Sequence, residues 1–282
     1  MSQYIFETCE LEYEYPDGTK ALKGINLAIE KGKKTAVLGP NGAGKSTLFL
    51  HLNGILKPKS GRVLFDGREI KYNRRHLMEL RKNVGIVFQD PDTQIFAGTV
   101  FQEVSFGPLN LGLKDDEVKE RVEKALITAG VYDLAQKPTH LLSYGQKKRV
   151  CIAGVLAMEP EVIIFDEPTA YLDPKHCRIL LESLDVLHQS GKQIILSTHD
   201  VNLAYGWADD ILIIKDGKLL KSGTPEEIFA NDEVLKQADL QKPMLLEVYE
   251  VLFEKGLIGK RQPKSIEDLK YTLQTKGLVI YE

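Results

Sequence analysis

The chain is short of several things, and each shortage narrows its role. It carries three cysteines in 282 residues, Cys9, Cys151 and Cys177. They are odd in number and far apart, so no metal or redox motif can be built from them. Their expected role is as small buried hydrophobes. Long hydrophobic runs are missing too: no apolar stretch approaches the roughly 20 residues of a membrane span. The N-terminus lacks the basic-then-apolar pattern of a signal peptide. A protein that is cytosolic, or peripheral to a membrane, is expected. Excess positive charge is also absent. A net charge of −3 leaves no electrostatic footprint for nucleic acid, and no nucleic-acid partner is expected. The most basic short run, Lys147-Lys148-Arg149, is expected to be a solvated helix face.

What is present is the composition of an ordinary globular protein, 43% hydrophobic and 27% charged. The length suits one large domain, or one domain with a small appendage. Within it, residues 39–47 read GPNGAGKST, the phosphate-loop pattern G-x-x-x-x-G-K-[ST]. Gly39, Gly42 and Gly44 let backbone N–H groups curl around an anion, with Pro40, Asn41 and Ala43 between them. Lys45 carries a compact charge to the β- and γ-phosphates. Ser46 offers a hydroxyl to Mg²⁺, and the helix continuing through Thr47 points its positive end at the phosphates. Lys34–Leu38 can form the strand before the loop. Nucleoside triphosphate binding follows from this segment.

The first 35 residues alternate apolar and polar positions, which predicts antiparallel strands around a turn at Pro16-Asp17-Gly18. Residues 61–67 predict another strand, and Val84–Phe88 a buried one ending at Gln89. Helical spacing at Val118, Val122, Ala125 and Leu126 predicts a helix over 115–129. Val162–Phe165 and Gln193–Leu196 are apolar on both faces, as in central parallel strands covered by helices. Ile211–Ile214 followed by Asp216-Gly217 predicts a late hairpin. The fold class expected is α/β: a P-loop core with a mixed sheet, an antiparallel β edge and a helical lobe at about 90–160. From 239 to 282 the pattern changes to a small helical appendage. Leu245, Val248, Tyr249 and Leu252 are expected on one face of its first helix, and Ser265 is expected to cap its second. Covering the core and contacting another subunit are equally open roles for it.

A second site of chemistry follows the strand at Val162. Its carboxyl end delivers Asp166 and Glu167, at the edge where ligands bind in open α/β sheets. Asp166 is expected to hold Mg²⁺, and Glu167 to reach the water that attacks the γ-phosphate.

Leu142-Ser143-Tyr144-Gly145-Gln146, opening a helix, completes a set of motifs. Over about residues 4–235 the chain resembles the ATP-binding-cassette (ABC) family, whose signature reads LSGGQ; here Tyr144 replaces glycine. The resemblance implies that Tyr15 stacks on adenine, that Gln89 links the two lobes and contacts Mg²⁺, that Asp173 belongs to a dimer-spanning loop, and that His199 is a switch histidine. Tyr171 stands where that loop usually has glycine. Residues 13–19, Gln89–Phe96 and Leu142–Val150 look like the ATPase subunit of cobalt-type energy-coupling-factor transporters.

That resemblance implies a cassette over residues 1–238 that binds ATP and Mg²⁺ and hydrolyses ATP. It also implies a closed dimer in which Ser143, Tyr144, Gly145 and Gln146 of one subunit meet the ATP held by residues 39–47 of the other. The second subunit is expected to be identical or a related paralogue. Integral membrane subunits are expected to dock on about residues 89–108, where Ile95, Phe96, Val100, Phe101, Val104 and Phe106 are expected to be exposed. The chain would lie at the cytoplasmic face of the membrane and power uptake of a small solute, cobalt ions first, with a vitamin or nickel as alternatives. Two other classes stay open: a soluble ABC ATPase outside transport, and a nucleotide-gated module that does not hydrolyse. Intact Glu167 and His199 argue against the second.

Overall fold

The computed structural model describes residues 2–275. Ten strands are present there: β1 (Tyr4–Glu14), β2 (Lys20–Glu30), β3 (Thr35–Leu38), β4 (Ser60–Phe65), β5 (Arg68–Glu69), β6 (Val84–Val87), β7 (Val162–Phe165), β8 (Gln193–Thr198), β9 (Asp210–Lys215) and β10 (Lys218–Gly223). Helices are α1 (Lys45–Leu52), α2 (Arg74–Asn83), α3 (Val100–Asn110), α4 (Asp115–Thr128), α5 (Tyr144–Leu156), α6 (Pro174–Gln189), α7 (Val201–Trp207), α8 (Pro225–Phe229), α9 (Asp232–Ala238), α10 (Met244–Glu254) and α11 (Ile266–Thr275).

The main sheet has the order β10-β9-β3-β8-β7-β6, parallel except for the β9–β10 hairpin. Its strands alternate between two dry faces. On β7, Val162 and Ile164 face one core while Ile163 and Phe165 face the other; β3, β8 and β9 do the same. An antiparallel sheet of order β2-β1-β4-β5 closes one face together with α1. The other face is covered by α6, α7 and the C-terminal helices. Register brings Leu38 opposite Thr198, Phe165 opposite Leu196 and Val87 opposite Phe165. The segments after β3, β6, β7 and β8 therefore leave the sheet from one edge, and that edge carries Gly39, Gln89, Asp166 and His199.

Helices α3, α4 and α5 form the lobe, and the four residues expected on the buried face of α4 are all buried. The 89–108 segment is a correction. Val100 and Val104 are fully buried lobe core, Ile95 and Phe101 are partly buried, and only Phe96 and Phe106 are exposed. The reason is period: Val100 and Val104 lie one turn apart on the inner face of α3. Lys148 is a second correction. It is 1% exposed, because it sits one turn after Tyr144 on the inward side of α5.

In α10 the buried positions are Leu246 and Tyr249, with Leu245 and Leu252 partly covered; Val248 is exposed beside Met244 and Val251. Gly256 ends the helix in the left-handed conformation, and Ser265 Oγ accepts from Asp268 N–H at the start of α11. The C-terminal helices thus cover the core. The expected appendage runs to residue 282, and residues 276–282 lie outside the described residues. Of the cysteines only Cys151 is fully buried; Cys9 and Cys177 are intermediate. Among the described residues no helix is long and apolar enough to cross a membrane.

Candidate active site

The loop between β3 and α1 is shaped by two glycines. At Gly39, φ is +155° and a Cβ would sit 2.0 Å from Ile214 O; at Gly44, φ is +105° and a Cβ would sit 2.7 Å from Ala21 O. Any side chain there would push the loop off the β9–β10 hairpin and β2. Lys45, buried at the start of α1, donates to Gly39 O (2.7 Å) and Pro40 O (3.1 Å). Its Nζ also lies 3.4 Å from Glu167 Oε1.

Glu167 follows β7 with φ of +47°, an uncommon conformation for a residue with a side chain. Its second oxygen lies 2.8 Å from His199 Nδ1. The Glu167 N–H donates to Ser197 Oγ (2.8 Å), and that hydroxyl donates to Asp166 Oδ1 (2.6 Å). Ser197 escaped the sequence reading. Its signal was a hydroxyl directly after the apolar run Ile194–Leu196, two residues before the histidine.

A pocket of about 510 Å³ gathers Tyr15, residues 41–47, Gln89 and Glu167. Tyr15 OH lies 3.0 Å from Thr47 Oγ1, and the Tyr13 ring meets Tyr15 edge-on. A second cavity of about 660 Å³ shares Asn41, Gln89 and Glu167 with the first and adds Tyr171 and His199. Asp166 lies behind this wall, buried and held by Ser197. Ser46, Gln89 and Asp166 supply a hydroxyl, an amide and a carboxylate. That all-oxygen set beside the phosphate loop fits Mg²⁺.

The signature residues sit elsewhere. Ser143 caps α5, its Oγ accepting from Gln146 N–H (3.4 Å) while Gln146 Oε1 accepts from Ser143 N–H (3.0 Å). Ser143, Tyr144, Gly145 and Gln146 do not line the Lys45 pocket. Asp173 caps α6, accepting from His176 N–H (3.0 Å) and contacting His176 Nδ1 (2.6 Å).

Lys148 also escaped the sequence reading. Its ammonium donates to Gln89 O (2.9 Å) and Glu167 O (3.1 Å). Burial pushes its pKa down to about 8, against the opposing pull of Cys151, Asp166, Glu167 and Asp90. Tyr144 OH donates to the same Gln89 oxygen (3.0 Å), and burial raises its phenol further above neutrality.

A phosphate loop backed by a positioned carboxylate on this sheet defines a P-loop ATPase. The ABC transporter family matches residues 22–170, just over half of the chain. The energy-coupling factor transporter ATP-binding protein EcfA of Methanocaldococcus jannaschii is 54% identical over 255 residues, 90% of this chain and 91% of that protein. EcfA2 of Clostridium perfringens is 50% identical over 90% of each chain. Among solved structures, CbiO1 from Clostridium perfringens, described as part of the ABC transporter complex cbiONQ, has a TM-score of 0.74. It is 49% identical and covers 88% of this chain and 100% of its own. The ATP-binding cassette MJ0796, as a dimer in a post-hydrolysis state with ADP and phosphate, has a TM-score of 0.72 at 29% identity, covering 78% of this chain and 98% of its own. The chain belongs to the ABC transporter family, as an ATPase subunit of the energy-coupling factor type.

Proposed function

We propose that this chain hydrolyses ATP at the Lys45–Glu167 site to power uptake of a small solute, cobalt ions, through membrane subunits at the cytoplasmic face. The observation that carries the hydrolytic part is the Glu167 carboxylate. It is held between Lys45 (3.4 Å) and His199 (2.8 Å) at the wall of the phosphate-loop pocket. In this reading residues 39–47 wrap the phosphates with backbone N–H groups, and Lys45 turns from Gly39 O to the β- and γ-oxygens. Tyr15 stacks on adenine. Glu167 takes the proton of the attacking water while His199 fixes its orientation. Ser46, Gln89 and Asp166 would hold Mg²⁺, which supplies charge neutralisation of the phosphates.

The position of Ser143–Gln146 away from this pocket supports a composite site. A second ATPase subunit, identical or paralogous, would bring its Ser143, Tyr144, Gly145 and Gln146 to this ATP, with Asp173 at the seam. The MJ0796 dimer supports the same reading. Membrane subunits would dock at Phe96 and Phe106, whose rings meet edge-on (4.6 Å between centroids) beside a groove of about 250 Å³ between the lobe and β6. The exposed Met244, Val248 and Val251 on α10 favour the C-terminal helices as a further contact between ATPase subunits. Cobalt as cargo is supported by residues 13–19, 89–96 and 142–150. The test is uptake of radiolabelled Co²⁺, Ni²⁺ and a vitamin by cells expressing this chain with its co-purifying membrane proteins. Co²⁺ uptake that disappears with Glu167→Gln is expected. Vitamin uptake without metal uptake would reject cobalt alone, and no associated membrane protein would reject the transporter role.

A further inference from the structure

We propose that Lys148 and Tyr144 are positioning residues for ATP hydrolysis: from one helix they clamp the backbones of Gln89 and Glu167, so that the signature segment and the carboxylate move as one body. The clamp rests on the reading of Glu167 as catalytic carboxylate. Three hydrogen bonds build it. Gln89 O accepts from both Lys148 Nζ (2.9 Å) and Tyr144 OH (3.0 Å), and Glu167 O accepts from Lys148 Nζ (3.1 Å). Tyr144 and Lys148 are four residues apart on α5, so their side chains leave the same face of the helix.

Packing alone gives no reason for an ammonium here. Lys148 is 1% exposed, and these partners are backbone carbonyls instead of a carboxylate. A buried charge held this way costs more than an apolar side chain of the same shape. What the ammonium supplies is a donor to two carbonyls that belong to different loops. One follows β6 and the other follows β7, and both flank the Lys45 pocket.

Glu167 explains why such a donor matters. Its left-handed backbone, φ +47°, persists only where the surroundings over-determine it. Ser197 holds its N–H from below, and Lys148 holds its carbonyl from the α5 side. Losing Lys148 leaves the peptide bearing the carboxylate free on one side. Ser143 immediately precedes Tyr144 and caps the same helix. A shift of the Gln89 loop on nucleotide binding is therefore passed directly to the segment that meets the partner's ATP.

The test uses the full chain with Lys148→Met, which keeps length and removes the donor, Lys148→Gln, which keeps a neutral donor, and Tyr144→Phe. Turnover, KM for ATP and melting temperature are measured for each. Closure of the dimer by ATP is titrated with each change added to Glu167→Gln. Loss of a hydrogen bond to a charged donor predicts a kcat roughly 10-fold lower for Lys148→Met, with KM within about twofold. Lys148→Gln should recover part of that loss, and Tyr144→Phe should lower kcat by a smaller factor. Both Lys148→Met and Tyr144→Phe should raise the ATP concentration needed for closure. A kcat within twofold of wild type in Lys148→Met, with only the melting temperature changed, would overturn the clamp, as would a raised KM at unchanged kcat. If Lys148→Met does not fold, Lys148→Gln and Tyr144→Phe carry the same decision, and wild-type turnover and closure in both would overturn it. Failure of the underlying reading shows separately, as wild-type turnover in Glu167→Gln alone.

Discussion

The rings of Tyr144 and Tyr171 meet edge to face, with 5.5 Å between centroids. These are the two positions where the sequence departs from glycine in the patterns it resembles, one in the signature and one in the loop before α6. The departures are a single feature, since each tyrosine packs on the other. Tyr171 keeps the left-handed backbone that suits glycine, with φ of +61°. It is 81% exposed, so its ring lies at the surface, with Tyr144 on one side.

A double-mutant cycle checks whether the contact carries energy. Tyr144→Leu and Tyr171→Leu, singly and together, are expected to show a coupling of about 0.5–1 kcal/mol in chemical denaturation, the usual worth of an edge-to-face pair. Additive single effects would mean the rings only touch.

Glu167→Gln should lower steady-state phosphate release by about 10²–10⁴-fold, the ordinary contribution of a positioned base. ATP affinity by calorimetry should stay near wild type, because the phosphates are bound by residues 39–47. Lys45→Ala should instead weaken ATP binding itself. Wild-type turnover in Glu167→Gln would reject the assignment.

With ATP and Mg²⁺, the Glu167→Gln protein should run as a more compact dimer than with ADP, read by light scattering and small-angle scattering. Ser143→Glu should abolish this closure and leave ATP affinity unchanged, since Ser143 lies outside the Lys45 pocket. A Glu167→Gln protein that stays monomeric at saturating ATP would defeat the composite-site reading.

Phe96 and Val104 separate surface from core within one stretch of chain. Phe96 is 64% exposed, so Phe96→Asp should leave the melting curve nearly unchanged and weaken co-purification with membrane subunits. Val104 is fully buried, and Val104→Asp should destabilise the protein by several kcal/mol, because it places an unpaired charge in the lobe. Equal melting behaviour of the two variants would contradict this division.

Cysteine reactivity offers a further check. Burial, helped by Glu103, pushes the Cys151 thiol up to about 12. At pH 8 its thiolate fraction is therefore about 10⁻⁴, and thiolate is the reacting form. Iodoacetamide should label Cys9 in the native protein well before Cys151, and all three cysteines in denaturant, as counted by mass spectrometry. Native labelling of Cys151 at the rate of Cys9 would show that the α5 face opens.

The sequence by itself determined the contiguous parts of this protein. Residues 39–47 carry their own loop chemistry, and Val162–Phe165 announces a strand buried on both faces before it delivers Asp166 and Glu167. Ser143 and Ser265 each mark a helix start. Such features are legible because the groups that interact lie within a turn or a strand of each other. Asn73 before α2, and Asp173-Pro174 before α6, carry cap signals of the same local kind. Only the tertiary structure decided the rest. Lys148 looked like a solvated cation because its acceptors are distant in the chain: Gln89 lies 59 residues away and Glu167 lies 19. Val100 and Val104 read as exposed docking surface, and only the packing of α4 and α5 over them makes them core. Hydrophobic period tells which residues share a face of a helix. Which carbonyl, ring or helix that face meets depends on where the chain returns, and only the folded sheet brings Gln89, Glu167 and α5 together.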